Sequence, residues 1–190
     1  VNRYGYGYVQ GADQAAKELG ITDEVQVEYV CGGQFYGDAD ITAYMDTWFG
    51  SKGVEIVFAC GGGIYTSAAE AAVKTGGKII GVDLDQSATI DEYEDGLTVT
   101  SAMKGLQVTI DNVLSAIKGG TWDAYAGEME NLGLESANPE ENYVQLPETT
   151  TQWDDNFTVD DYRDLVQRMY DGELTVSCLF YTSDAADEAR

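Results

Sequence analysis

The chain has 190 residues, 44% hydrophobic and 23% charged, enough to bury a core in one domain or two small ones. Its 34 acids against 10 bases give a formal charge of −24, which argues against nucleic acid and anionic membrane surfaces, because both demand clustered lysine and arginine. It lacks histidine, a CxxC pair and any apolar run near the ~20 residues of a membrane span, which removes histidine-dependent triads, the commonest zinc ligands and a transmembrane helix.

Taken in chain order, strand and helix patterns alternate. Tyr8, Ala12, Ala15, Ala16 and Leu19 recur at helical spacing, and Gly20 stops that helix. Val25–Val30 reads as a strand. Asp38 or Asp40 caps a helix with Ile41, Tyr44, Met45 and Trp48 on its apolar face, closing near Gly50. Val54–Ala59 is an almost continuous apolar run, as expected of a parallel strand covered on both faces. Gly61-Gly62-Gly63 follows, and such a turn should leave the N–H groups opening the next helix accessible to a ligand.

Ala68, Ala69, Ala72 and Val73 form the stripe of that next helix, which stops at Gly76-Gly77. A strand then delivers two carboxylates, Asp83 and Asp85. Leu97–Ser101 is a short β-rich run, followed by a helix with Leu106, Ile110, Val113, Leu114 and Ile117 on one side. Tyr125–Leu134 reads as a further strand. Ala137–Asn156 carries Pro139 and Pro147 and reads as a surface connection. Thr158 with Asp161 forms a capping box for a helix that turns Val159, Tyr162, Leu165, Val166 and Met169 inward. Repeated βαβ units of this kind predict an α/β fold, a parallel sheet sandwiched by helices.

Both ends stand apart. Only Val1–Tyr4 precedes the first helix pattern, so the amino terminus reads as cut. CLFYTSDAADEAR, residues 178–190, has no amphipathic period and resembles a translated sequencing-library adapter, Phe180 being the one departure noticed. Residues 1–177 are therefore expected to carry the fold and 178–190 to be a non-native tail. Cys31 and Cys60 each end a predicted strand and read as buried thiols. A pairing between them stays open, since adjacent strands would bring them close.

Open α/β sheets bind small molecules at the carboxyl edge of their strands, and the glycine turn and the acids both fall there. Gly61 and Gly63 fit a dinucleotide fingerprint, but Thr66 stands where its third small residue belongs, so no nicotinamide cofactor is expected. Asp83 and Asp85 alternate across their strand, and Asp83 is the preferred ligand-facing acid, suited to paired hydroxyls; helix or turn capping is the other reading of both. Phe58 is either core or a ring on which a flat heterocycle stacks, with Tyr65 a weaker aromatic candidate. Lys104, at the expected head of a helix, gains nothing from the macrodipole there. It is either a donor to a ligand oxygen or ring nitrogen, or an ordinary surface lysine.

The segments VEIVFACGGGIYTSAAEAA, KIIGVDLDQS and TVTSAMKG, in this order and spacing, resemble the basic membrane protein family. Those are lipid-anchored substrate-binding proteins of ABC transporters, many of them receptors for purine nucleosides. RYGYGYVQGADQAAKELG is similar to the stretch where that family's chain enters its carboxyl-terminal lobe, so the resemblance runs from about Arg3 to about Ser177. It implies a type I periplasmic-binding-protein fold, of which this chain holds mostly the carboxyl-terminal lobe, with hinge or return segments near 137–157.

It also implies binding roles for Phe58, Gly61 and Gly62 beside the base, Asp83 on the ribose and Lys104 reaching into the cleft. The remaining contacts would come from an amino-terminal lobe absent here, and Cys60 and Gly63 stand where family members vary. The implied partners are a nucleoside-like solute and an ABC permease, with no enzyme activity and no cofactor. The implied place is outside the cytoplasm, periplasmic or held to the membrane by a lipid on the missing amino terminus. A sugar-binding or other polar-solute protein of the same fold is the alternative, and the effector domain of a transcription regulator a second. Trp48, Phe49 and Trp122 are expected on a face that the missing lobe would cover.

Overall fold

A computed structural model describes residues 2–177, and the 178–190 tail lies outside the described residues. The chain divides into two compact units, residues 2–34 with 175–177 and residues 35–174.

In the first unit, α1 (Asn2–Leu19) ends where the helical spacing predicts. Gly20 takes φ +72°, and the Ile21 N–H reaches back to the Ala16 carbonyl at 2.9 Å, closing the helix without a Cβ penalty. Only Ala16 of this helix is buried. Val25–Val30 is not a strand: it is irregular, with Val25 and Val27 exposed. A strand exists only as one rung of a ladder, so an alternating apolar sequence without a neighbouring strand stays irregular.

The second unit holds a four-stranded sheet of order β1-β2-β3-β4, where β1 is Ile56–Phe58, β2 Lys78–Asp83, β3 Thr98–Lys104 and β4 Val144–Gln145. The first three are parallel and β4 pairs antiparallel with β3. Phe58 pairs with Ile80 and Asp83 with Met103, so three carboxyl ends meet at one edge. Helices α2 (Ala39–Thr47), α3 (Tyr65–Ala72), α4 (Ser87–Ile90), α5 (Leu106–Gly119) and α6 (Val159–Tyr170) complete the unit. The chain is thus α/β, an open and mostly parallel sheet flanked by helices.

Its core is small-residue helix against aliphatic strand. Ala68, Ala69, Ala71 and Ala72 of α3 are buried, with Ile79 and Val82 of β2 and with Ile90 and Leu97. Each buried aliphatic side chain contributes about 1.5–3 kcal/mol over leaving it in water. Asp38, rather than Asp40, caps α2 by accepting from the Ile41 N–H at 2.8 Å. The helix then widens into a π turn over Trp48–Lys52 and closes at Gly53, φ +71°, slightly beyond the expected Gly50. Trp48 and Phe49 are buried, not on an open face. A Cβ at Gly77 would lie 2.3 Å from the Phe49 ring, so that glycine is what admits the ring. Trp122 alone of the three is exposed.

Three further expectations change. Tyr125–Leu134 forms no strand; a 3-10 turn at Trp122–Ala124 leads into irregular chain. The 137–157 connection is not merely surface, because it contributes β4 and a 3-10 turn at Pro139–Glu141. The apolar stripe of α5 faces outward: Leu106, Ile110, Leu114 and Ile117 are between 46% and 58% exposed. By contrast α6 behaves as its sequence predicts. Thr158 and Asp161 form the reciprocal capping box, and Tyr162 and Val166 are buried. Among the described residues no helix is long and apolar enough to cross a membrane.

Candidate functional site

The candidate site lies where β1, β2 and β3 end. The strongest feature is an ion pair: Lys104 Nζ stands 2.6 Å from Asp83 Oδ1, with both side chains partly open to solvent. Lys104 is not at a helix head but is the last residue of β3, one step beyond the register partner of Asp83. The neighbouring Gly105 is the residue that starts α5, where a Cβ would come within 2.6 Å of the Asn142 carbonyl oxygen. The parallel ladder therefore brings the two charges together, and only tertiary pairing does so.

Asp83 is also the sole non-glycine residue of positive φ among the described residues, at +72°. The Leu84 N–H bonds the Val82 carbonyl across it at 2.9 Å, giving a γ-turn of the strained, positive-φ kind. Strain of this sort costs of order 1–3 kcal/mol and persists where the surroundings over-determine it. It turns the chain abruptly at the sheet edge and leaves the Asp83 carboxylate beside Lys104.

Behind the pair, Gln86 acts as a bracket that sequence reasoning missed. Its Oε1 accepts from the Val82 N–H at 2.8 Å, its Nε2 donates to the Gly62 carbonyl at 3.1 Å, and its own N–H donates to Ser101 Oγ at 3.1 Å. One side chain thus ties the glycine turn, β2 and β3. Gly81 makes the room, since a Cβ there would sit 2.6 Å from Ser101 Oγ and 3.0 Å from Gln86 Cβ. A polar residue three places after a strand-end acid carried no signal by spacing alone.

The glycine turn differs from expectation. The Gly61 N–H bonds the Ala59 carbonyl at 2.8 Å and the Gly63 N–H bonds the Phe35 carbonyl at 2.8 Å. The Ile64 N–H is taken by the Gly61 carbonyl and the Thr66 N–H by the Gly63 carbonyl, at 3.0 and 3.3 Å. These four donors already have carbonyl acceptors, that of Gly63 lying on Phe35 outside the turn. Gly62, at φ +52°, and Gly63 are needed for another reason: a Cβ on either would lie 3.3–3.4 Å from the Phe35 carbonyl oxygen. Gly61 is buried and Gly62 half-buried.

Phe58 is half-buried at the end of β1, and Phe35 and Tyr36, next to the turn, are largely exposed. Tyr65 is half-buried at the start of α3. Cys60, two residues beyond Phe58, is half-buried; burial pushes its thiol pKa up, the Asp83 carboxylate adds to the rise, and Lys104 opposes it. That coupling places the β1 end in the field of the ion pair. Cys31, expected to be buried, is exposed in the first unit.

Asp85 performs the capping role. Its Oδ1 accepts from the Ser87 N–H at 3.0 Å and its Oδ2 from the Thr150 hydroxyl at 2.7 Å. Partial burial works to raise its pKa, but the hydrogen bonds from Thr150 and Ser87 outweigh it and hold the carboxyl below its ordinary value. The Asp83 side chain, by contrast, is partly open to solvent and pairs with Lys104. No group of acids and cysteines among the described residues is arranged to hold a metal ion.

A cavity of about 270 Å³ in the first unit, lined by Val9, Ala16, Val25 and Val27 among others, offers less chemistry. Its Gln10 bonds the Tyr6 and Ser177 carbonyls, and its Asp13 pairs with Lys17 at 2.6 Å. No protein-family model matches the chain, and a search of curated proteins finds no match.

Proposed function

We propose that this chain carries one wall of a solute-binding cleft, and that the whole protein is the extracytoplasmic solute-binding component of an ABC importer, taking purine nucleosides. The observation that supports this most is the Asp83–Lys104 pair at the carboxyl edge of the sheet, 2.6 Å apart and partly exposed. An acceptor-only carboxylate suits a pair of sugar hydroxyls, and an ammonium suits a carbonyl oxygen or ring nitrogen. Phe58, half-buried at the same edge, supplies an aromatic ring of the kind that stacks on a flat base.

Each charged hydrogen bond contributes roughly 1.5–3 kcal/mol before desolvation, and an aromatic contact about 0.5–1.5 kcal/mol beyond its area. One wall alone therefore binds weakly. In this reading a second lobe closes over the ligand, expels water and creates the form that a permease recognises. The protein works outside the cytoplasm, held to the membrane by a lipid, and performs no reaction.

Calorimetry with inosine, adenosine and guanosine tests the reading. Binding of any of them, lost in Asp83→Asn, supports it. Heat with sugars but with no nucleoside would replace it by a sugar or polar-solute receptor. Release of free base during incubation would make the protein an enzyme.

A further inference from the structure

We infer that Gln86 is a positioning residue of the proposed site: its carboxamide wedges the end of β1 away from β2 and sets how far the glycine turn stands from Asp83. This rests on the solute-binding reading above and adds to it the group that fixes the width of the crevice.

The ladder shows where the wedge enters. The last rung between β1 and β2 runs from the Ala59 N–H to the Ile80 carbonyl at 3.0 Å. One further step of a parallel ladder would bring the Val82 N–H to the Ala59 carbonyl. That carbonyl accepts instead from the Gly61 N–H at 2.8 Å, where the chain leaves the strand. Val82 is buried, and a buried N–H needs an acceptor. Gln86 Oε1 supplies it at 2.8 Å, and Nε2 of the same amide reaches on to the Gly62 carbonyl at 3.1 Å. One planar group takes the place of the missing rung, accepting from β2 and donating to the glycine turn.

The wedge is held from behind. The Gln86 N–H donates to Ser101 Oγ at 3.1 Å, and Ser101 is fully buried on β3. Gly81 leaves room for the carboxamide, since a Cβ there would lie 3.1 Å from Oε1. The peptide between Gly62 and Gly63 is gripped on its other side as well, where the Gly63 N–H bonds the Phe35 carbonyl at 2.8 Å. Asp83 follows Val82 directly, so the amide spans from one proposed contact to the other. A side chain that only accepts, or only fills space, does not hold both.

Calorimetry with inosine, adenosine and guanosine on the 190-residue chain, on Gln86→Glu and on Gln86→Met tests this between about pH 7 and about pH 5. The glutamate keeps an oxygen for Val82 but, when ionised, turns a second acceptor toward the Gly62 carbonyl. Once protonated, its O–H donates there as the amide does. Burial raises the pKa of such a carboxyl, which brings the change into this range. At pH 7 both variants are expected to bind at least about tenfold more weakly than the parent chain. On acidification Gln86→Glu recovers relative to the parent and Gln86→Met does not. The Gly63 amide nitrogen, attached to the Gly62 carbonyl carbon, shifts with the same midpoint in NMR spectra of Gln86→Glu. Asp83, Asp85, Lys104 and Cys60 also titrate around this edge but are common to all three proteins, so the ratio to the parent isolates position 86. If Gln86→Met fails to fold, the glutamate series decides alone. Parent-like affinity of Gln86→Glu at pH 7, or a loss that acid does not reverse, overturns the positioning role and leaves the solute-binding reading standing. Binding of no nucleoside by the parent chain removes that reading and this inference together.

Discussion

Asp83 and Lys104 end adjacent parallel strands, and their charges meet at 2.6 Å at the point where β2 stops and Asp83 adopts φ +72°. A surface pair of this exposure is a minor contribution to stability, about 0–1 kcal/mol. The proposed function draws on its placement at the sheet edge rather than on its strength.

A double-mutant cycle separates the two roles. Asp83→Asn and Lys104→Met should each change unfolding free energy by less than about 1 kcal/mol, as expected for an exposed ion pair. Each should weaken nucleoside binding roughly tenfold to a hundredfold, the loss of one charged hydrogen bond. Urea unfolding and calorimetry on the four proteins measure both quantities. Large stability losses with unchanged affinity would make the pair purely structural.

The strain at Asp83 makes a distinct prediction. Asp83→Gly removes the ion pair but relieves a positive φ worth about 1 kcal/mol in a residue with a Cβ. Its thermal midpoint should therefore equal or exceed that of the parent chain while ligand binding is lost. A midpoint lowered by more than about 5 °C would show that the turn is not strained.

Acid sensitivity should report on Asp85. Its pKa is lowered in the folded chain, so its stabilising contribution is complete above the ordinary carboxylate value and disappears as pH falls through the lowered one. Thr150→Val removes one of the bonds responsible. The Asp85 carboxyl should then titrate at higher pH by NMR, and the variant should lose less stability between neutral and acid conditions. An unchanged Asp85 titration would mean that the Thr150 bond does not hold in solution.

Core and surface apolar groups should behave oppositely. Trp48→Ala, at the buried start of the π turn after α2, should cost about 3–5 kcal/mol, and Gly77→Ala should be destabilising because its Cβ meets the Phe49 ring. Ile110→Gln and Leu114→Gln, on the open side of α5, should each stay within about 0.5 kcal/mol and reduce light scattering of concentrated protein. Denaturation midpoints and scattering intensity distinguish the two sets.

The helix boundaries were legible because their determinants are local. Gly20 at φ +72°, Asp38 as a cap and the Thr158–Asp161 box act within four residues of sequence. The β1–α3–β2 unit was legible as well, since a short apolar run, a glycine turn and an alanine stripe can satisfy one another only as a parallel crossover. The α/β class and the positions of Phe58, Gly61, Gly62 and Asp83 near one edge follow from that unit.

What only the tertiary structure decided is every relation that needs a distant partner. Val25–Val30 and Tyr125–Leu134 have strand composition but no ladder to join, so they remain irregular. The stripe of α5 has a core's periodicity, yet it faces outward, because periodicity says which residues share a side and not what lies opposite. Phe49 went inside against Gly77, far along the chain, which leaves space for its ring. The Gly61 and Gly63 N–H groups were taken by carbonyls that the pattern could not place. Lys104 moved from helix to strand, and strand register then set it on Asp83. Local sequence specifies backbone shape through short-range sterics and hydrogen bonds; charge meeting charge at a sheet edge requires the assembled ladder.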